Sequence, residues 1–327
     1  MSTASPSAVA DTAPTPVFPR LQALIEQARR IAEREPATIA LAHPCDALAM
    51  QAAQRVRAAG VARPLLVGEP GLIRQAAGQA EVDVHDFEIV ATDADPAQAA
   101  RRAVELARAG DVRALMKGSL HTDELMSAVV HRETGLRTGR RISHAFVFDL
   151  PRYHKLLALA DCVVNITPDL RSKLDILGNA VELLQRIGVA GPKAAVVAAV
   201  ETVNPAIPAT LDARELAQLG REGRWPGAEI EGPLGFDNAF SLQAARTKHI
   251  ESPAAGDFDL MLVPDLNAGN MLYKSFVYVG GGECAGLVLG ARVPIVLTSR
   301  ADSLTARLAS VALAVVSTRR EAEAATA

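Results

Sequence analysis

The chain is poor in aromatic residues, with eight Phe, three Tyr and one Trp among 327 residues. That excludes a surface built to stack on bases. It has no basic excess either. Thirty-four Lys and Arg face 37 Asp and Glu, for a net charge of −3. A generally basic nucleic-acid binder is thereby excluded, although a local basic pocket for a small anion is not. The three cysteines (Cys45, Cys162, Cys284) are scattered and odd in number. No disulfide framework is expected, and a reducing cytoplasm is the expected setting. No uncharged apolar run is long enough to span a bilayer. Residues 1–19 lack the basic start and leucine-rich centre of a signal peptide and predict a disordered tail. Several motifs are also missing: a G-x-S-x-G elbow, H-E-x-x-H, an EF-hand loop and the G-x-G-x-x-G dinucleotide fingerprint. The seven histidines (43, 85, 121, 131, 144, 154 and 249) show no metal-ligand spacing, so no metal site is expected.

What is present is alternation. Short apolar runs are predicted as strands at Thr38–Ala42, Pro64–Val67, Phe87–Ala91, Arg113–Met116, Ala145–Phe148, Cys162–Ile166, Ala194–Ala199, Leu260–Val263, Gly286–Leu289 and Pro294–Leu297. They are apolar throughout, as strands buried on both faces of a parallel sheet are. Between them, Pro96–Ala109, Asp169–Ile187 and Ser303–Val315 carry apolar residues at helical spacing. Repeated strand, loop and helix predicts an α/β fold with a largely parallel sheet. In such sheets ligands bind outside the carboxyl ends of the strands, so the loops there are the places to look for chemistry.

Four loops and one strand end stand out. Met116–Asp123 joins Lys117, Gly118 and Ser119 to a helix start, where Ser119 or Thr122 is the expected cap and an anion can sit. Thr138–His144 places Arg140 and Arg141 beside Ser143, a set that can fork onto phosphate. Glu231–Asn238 is read as a glycine-rich loop, and Asp265–Asn270 precedes a helical stretch over Met271–Val279. Asn238 and Asn270 are the candidate ligand contacts of these two segments. Ordinary capped turns with solvated cations account for the same four patterns. The fullest constellation is VPIVLTSRADS (Val293–Ser303), in which a buried strand delivers Thr298, Ser299 and Arg300 to a helix beginning at Asp302 or Ser303. Hydroxyls, a guanidinium and free helix N–H groups within one turn suit a phosphate or an acyl phosphate.

Segment Asn165–Ala213, EGPLGFDNAFS (Glu231–Ser241), LVPDLNAGNMLYKS (Leu262–Ser275) and VPIVLTSRADS, in this order, resemble the phosphate acetyl/butyryl transferases. The wording LTSRADS is closer to the butyryltransferase branch. The resemblance extends over roughly Thr38–Val316. It implies two α/β domains flanking a cleft, of the isocitrate/isopropylmalate dehydrogenase-like type. Residues 20–143 plus 292–327 would form the first domain, and 144–291 the second, carrying the contact of a homodimer. It further implies reversible transfer of a short acyl group, butyryl or acetyl, between coenzyme A and inorganic phosphate. Coenzyme A would be a substrate, and no metal or redox cofactor is implied.

On that resemblance Ser299 hydrogen-bonds near the CoA sulfur and Arg300 anchors phosphate, with Arg140, Arg141 and Ser143 matching a basic segment. Lys117, Ser119, Asn238, Asn270 and Thr298 complete the expected binding set. The chain departs from the acetyltransferase pattern at Ala306, seven positions after Ser299, where that branch has an aspartate proposed as general base. Asp302 is the nearest carboxylate. Met126 and Ser127 stand where an arginine is expected. Direct transfer in a ternary complex is the expected mechanism. Two other readings account for the same chain. One is a non-catalytic acyl-CoA or phosphate binder of this fold. The other is a metal- and nicotinamide-dependent dehydrogenase on a related scaffold.

Overall fold

The computed structural model describes residues 18–299 and 301–319. Arg300 and most of the expected tail lie outside the described residues. In chain order the elements are α1 (Pro19–Arg34), β1 (Thr38–Ala42), α2 (Ala47–Ala58), β2 (Arg63–Gly68), α3 (Pro70–Gln79), β3 (Glu88–Ala91), α4 (Pro96–Ala109), β4 (Ala114–Lys117), α5 (Thr122–Val129), β5 (Ser143–Asp149) and β6 (Leu157–Ala160). There follow α6 (Leu170–Arg186), β7 (Lys193–Val197), α7 (Pro208–Arg221), β8 (Glu229–Leu234), α8 (Phe236–Phe240), α9 (Leu242–Thr247), β9 (Leu260–Leu262), α10 (Leu266–Tyr278), β10 (Glu283–Leu289), β11 (Ile295–Val296) and α11 (Leu304–Ser317).

Local signals explain most boundaries. Asp46, Asp95, Asp169, Asp265 and Ser303 each accept a hydrogen bond from a backbone N–H of the first turn of the helix that follows. Pro96 opens α4, and Gly110 at φ +84° closes it. Pro19 already stands in α1, so the expected tail is shorter at its inner end than residue 19.

The strands form one 11-stranded sheet in the order β3-β2-β1-β4-β11-β10-β5-β6-β9-β7-β8. The five strands from β3 to β11 run parallel. So do the four from β6 to β8, in the opposite sense. β10 and β5 lie between them, and antiparallel pairs at β11–β10, β10–β5 and β5–β6 join the two blocks. β11 returns to the first block although it is the last strand, and lies parallel beside β4 with Ile295 opposite Leu115 and Val296 opposite Met116.

Two sequence expectations are corrected. Cys162–Ile166 is a loop, not a strand; the strand there is β6, which ends at Ala160. The Asp161 carboxylate accepts the N–H groups of Val163 and Val164 at 2.9 Å each and turns the chain despite its β-branched residues. Glu231–Leu234, read as loop, belongs to β8 on the sheet edge. An edge strand tolerates the Gly232-Pro233 pair that made it look irregular.

α11 is buried at every position from Ala306 to Ser317. It packs against α1, α2 and β10. Its Leu308, Val311, Leu313, Val315 and Val316 are each 6% exposed or less, and burying a side chain of this size is worth about 1.5–3 kcal/mol. Ser310 is one of three polar residues buried along it, with Arg307 and Ser317. Its hydroxyl donates to Ala306 O at 2.7 Å and accepts the Gly286 N–H of β10 at 2.9 Å. Ser310→Ala leaves that buried N–H unpaired and is expected to cost about 1–3 kcal/mol. A urea-unfolding midpoint equal to the parent's would refute this.

Candidate active site

Because β4 and β11 are parallel neighbours, their carboxyl ends lie side by side. The loops leaving them form one wall of a cleft of about 620 Å³. Lys117, Leu120, His121 and Thr122 line it from the first loop, and Leu297, Thr298, Ser299, Ala301 and Asp302 from the second. Across from them stand Asn270, Tyr273, Lys274 and Tyr278 of α10, with Phe146 of β5 and Val163. The cleft therefore draws on both blocks of the sheet.

The β11–α11 loop is tied down from both sides. Asp302 accepts the Ser299 N–H at 2.6 Å on one oxygen and the Tyr273 hydroxyl at 3.0 Å on the other. Burial first, and then the neighbouring Asp302 carboxylate, push the Tyr273 phenol well above its ordinary pKa, so it stays a donor. Arg307, 4% exposed, reaches back under the loop. It donates to the Thr298 hydroxyl at 2.8 Å and to Ser299 O at 2.6 Å. The Ser299 hydroxyl accepts the Ala301 N–H at 3.3 Å.

The β4–α5 loop is held by its neighbour. Gly118 presses on the turn after β1, where a Cβ would stand 2.4 Å from Ala42 O and 2.5 Å from His43 O. Only glycine fits there. The Ser119 hydroxyl donates to His43 O at 2.8 Å and accepts the Cys45 N–H at 3.2 Å. Lys117 Nζ donates to the carbonyls of Gly118 and Leu120 at 3.2 and 3.1 Å.

Of the expected residues, Lys117, Asn270, Thr298, Ser299 and Asp302 meet in this cleft. Ser119 does not line it; its hydroxyl is used up joining the two turns. Nor does Ser119 or Thr122 cap α5. The cap position is His121, whose N–H donates to Glu124 at 2.7 Å. Asn238 is fully buried on α8 and does not line the cleft. Arg140, Arg141 and Ser143 are also elsewhere. They precede or begin β5, and Ser143 is three residues from Phe146, about 10 Å along an extended strand. Arg140 pairs with Glu182. Arg141 Nε donates to Asn165 at 2.6 Å, and Ser143 Oγ accepts from Asn179 at 2.9 Å. Arg140 and Arg141 line a separate hollow with Arg137 and Arg171.

Sequence reasoning missed Tyr273, Phe146 and Arg307. Tyr273 and Phe146 lie within apolar runs. Arg307 sits inside a helix whose neighbours are almost all apolar, and that lone charge was the available signal. Beneath the cleft, His144 is fully buried with neither ring nitrogen partnered. Its ring meets Phe146 edge-on, with centroids 4.4 Å apart. Burial pulls its pKa down to about 4, with Asp161 opposing. Among the described residues no group of His, Cys, Asp and Glu is placed to hold a metal ion.

The architecture is α/β, with parallel strand ends facing a helix across a cleft. A family model described as "Phosphate acetyl/butaryl transferase" matches residues 20–101 and 95–315. The chain belongs to this phosphate acetyl/butyryl transferase family. It is 48% identical over 279 residues to a phosphate acetyltransferase of Rhizobium meliloti, covering 85% of this chain and 88% of that protein. It is 37% identical over 285 residues to a phosphate butyryltransferase of Clostridium acetobutylicum, covering 87% and 94%. Among solved structures, a branched-chain phosphotransacylase from Enterococcus faecalis V583 superposes with a TM-score of 0.77 at 28% identity, covering 87% of this chain and 100% of that one. A 4-hydroxythreonine-4-phosphate dehydrogenase from Klebsiella pneumoniae shares the fold at a TM-score of 0.54 and 15% identity, over 87% and 99%. The dehydrogenase-like scaffold expected from the sequence is thus present, and the family is that of the transferases.

The buried imidazole yields a pH prediction. An unfolded histidine takes up its proton near pH 6.5, whereas His144 in the folded chain does so near 4. Between these values the unfolded state binds more protons, so stability falls as pH is lowered through the window, by up to about 3 kcal/mol. Urea midpoints measured from pH 7.5 to 4 should fall more steeply for the parent than for His144→Phe. Parallel curves would contradict the assignment.

Proposed function

We propose that the chain moves a short acyl group between coenzyme A and inorganic phosphate inside this cleft. In one direction a phosphate oxygen attacks the thioester carbonyl carbon. A C–O bond forms, the C–S bond breaks, and the thiolate leaves and takes up a proton. The products are acyl phosphate and CoA, and the balance closes without a metal or redox group. The observation that carries this reading is the convergence of Lys117, Thr298 and Ser299 at adjoining parallel strand ends, in a chain of this family.

The residues divide the work as follows. Arg300, assigned from sequence alone, grips phosphate with its fork, and the start of α11 adds N–H dipoles. Lys117 adds positive potential. Ser299 donates toward the sulfur or the developing oxyanion; one such donor is worth on the order of 3 kcal/mol in well-studied enzymes. Asp302 has both carboxylate oxygens engaged, which suits fixing the loop better than taking a proton. Phosphate arrives already anionic, so the acyl-phosphate-forming direction needs no strong base. In reverse, the CoA thiol, with a pKa of roughly 8.5, is drawn toward thiolate by the same cations.

Transfer is direct, in a ternary complex. The chain's own thiols favour this: burial raises Cys45 to about 11 and keeps Cys162 and Cys284 well above the ordinary thiol range. None offers a ready thiolate for an acyl-enzyme. Residues 20–143 plus 292–327 then act as one domain and 144–291 as the other. A cytoplasmic setting is part of this reading and rests on the three scattered cysteines; separately, no helix among the described residues is long and apolar enough to cross a membrane.

A thiol-release assay with acetyl-, propionyl- and butyryl-CoA and phosphate tests the activity. Arg300→Ala should lower kcat/KM for phosphate about tenfold or more, with little recovery in Arg300→Lys. Ser299→Ala should lower kcat with folding intact. No thiol release from any acyl-CoA would leave the non-catalytic binder, and unchanged phosphate kinetics in the Arg300 variants would remove its role.

The reading includes a homodimer with its contact on the second domain. α10 and its C-cap leave Met271 66%, Tyr278 70% and Val279 87% exposed, an apolar face unusual for a lone chain. Light scattering should give twice the chain mass for the parent and a shift toward monomer for Met271→Glu with Val279→Glu. A monomeric parent would refute the dimer.

A further inference from the structure

The length of the acyl chain is a question of room beside the apolar walls of the cleft. Among the described residues, Phe146 is the only member of β5 that lines the cleft. It is 6% exposed, so little more than one edge of the ring meets the opening. Its ring stacks on Tyr273 of α10, with centroids 4.2 Å apart and planes 10° from parallel. His144 closes a second side at 4.4 Å. On a third side lies Gly286 of β10, where a Cβ would stand 2.7 Å from the ring Cε1. The ring fills space that a side chain at position 286 would otherwise need. It is boxed in, and close-packed interiors of this kind do not yield to a ligand without cost.

The surroundings say which end of the substrate comes here. Leu120, Val163 and Leu297 line the same cleft as apolar walls. Polar groups line it from the loops after β4 and β11 and, across the cleft, from Asn270 and Lys274 of α10. The thioester carbonyl belongs beside Ser299, and the hydrocarbon tail belongs against the apolar walls, toward Phe146.

We infer that Phe146 is a specificity-determining residue: its immobilised ring closes the apolar end of the cleft and selects acetyl over butyryl. The inference rests on the acyl-transfer reading given above. A single methylene that a pocket cannot house changes discrimination by roughly 10- to 200-fold, so two extra carbons meeting a fixed ring are a large obstacle. Shrinking the ring removes the obstacle; because it also removes the face on which Tyr273 stacks, the ratio between acyl chains and not the absolute rate is the readout.

The experiment uses the full chain and measures kcat/KM for acetyl-, propionyl-, butyryl- and valeryl-CoA at saturating phosphate. The parent should fall at least about tenfold from acetyl to butyryl. In the series Phe146→Leu, Phe146→Val and Phe146→Ala, the butyryl-to-acetyl ratio should climb stepwise, by about tenfold or more at the alanine. Circular dichroism and thermal melts confirm that each variant is folded, and if the alanine chain is not, the leucine and valine chains read the same ratio. Equal kcat/KM for acetyl and butyryl in the parent overturns the inference, and that measurement needs no variant. A constant ratio across folded variants also overturns it. Acetyl transfer that proceeds while the ratio stays flat sinks the ring's role alone, whereas a parent inert on every acyl-CoA sinks acyl transfer itself.

Discussion

The cleft depends on one carboxylate held from two directions. Asp302 takes a backbone N–H from the loop after β11 and a phenolic hydroxyl from α10. The first belongs to one parallel block of the sheet and the second to the other. Each bond is ordinary in strength, but hydrogen bonds to a charged acceptor are worth more than neutral ones. Together they bring Ser299 to α10 and set the width of the opening. Burial that keeps the Tyr273 proton in place keeps the link intact across the ordinary pH range.

Below the link the polar groups are sparse, and two of them hold several partners each. Arg307 takes over the Thr298 hydroxyl and the Ser299 carbonyl, and a buried guanidinium is tolerated because the loop supplies acceptors. Asp161 caps the turn after β6 and also receives Asn165 and the His144 N–H. These groups sit where the sheet changes direction, between β11 and β6, where antiparallel pairs replace the regular parallel ladder.

The sequence disclosed the architecture wherever local signals and burial agreed. β1 and α4 have the expected limits at both ends, because buried parallel strands are apolar throughout and a capped helix carries Asp, Pro and Gly in the right places. The signals failed where a tertiary contact outranked propensity. Two valines after Asp161 look like strand, but the carboxylate beside them captures their N–H groups. Ser119, Arg140, Arg141 and Ser143 have the chemistry of an anion site. The fold spends Ser119 on a neighbouring turn and sets the other three at the opposite end of β5. No periodicity reveals that difference, because it depends on which end of each strand faces the cleft. Phe146 and Tyr273 were hidden for a related reason: the two rings stack on each other from elements more than a hundred residues apart in the chain.

Gly118 has a wider meaning. With backbone pressed on backbone, the turns after β1 and β4 behave as one piece of scaffold, not as two loops. Lengthening either would pry the other away and carry Lys117 with it. The opposite bank is fixed the same way at its base, where a Cβ on Gly269 of α10 would stand 2.4 Å from Asp161 O, so natural or engineered variation in the mouth of this pocket is channelled to the side chains these elements present and not to their backbones.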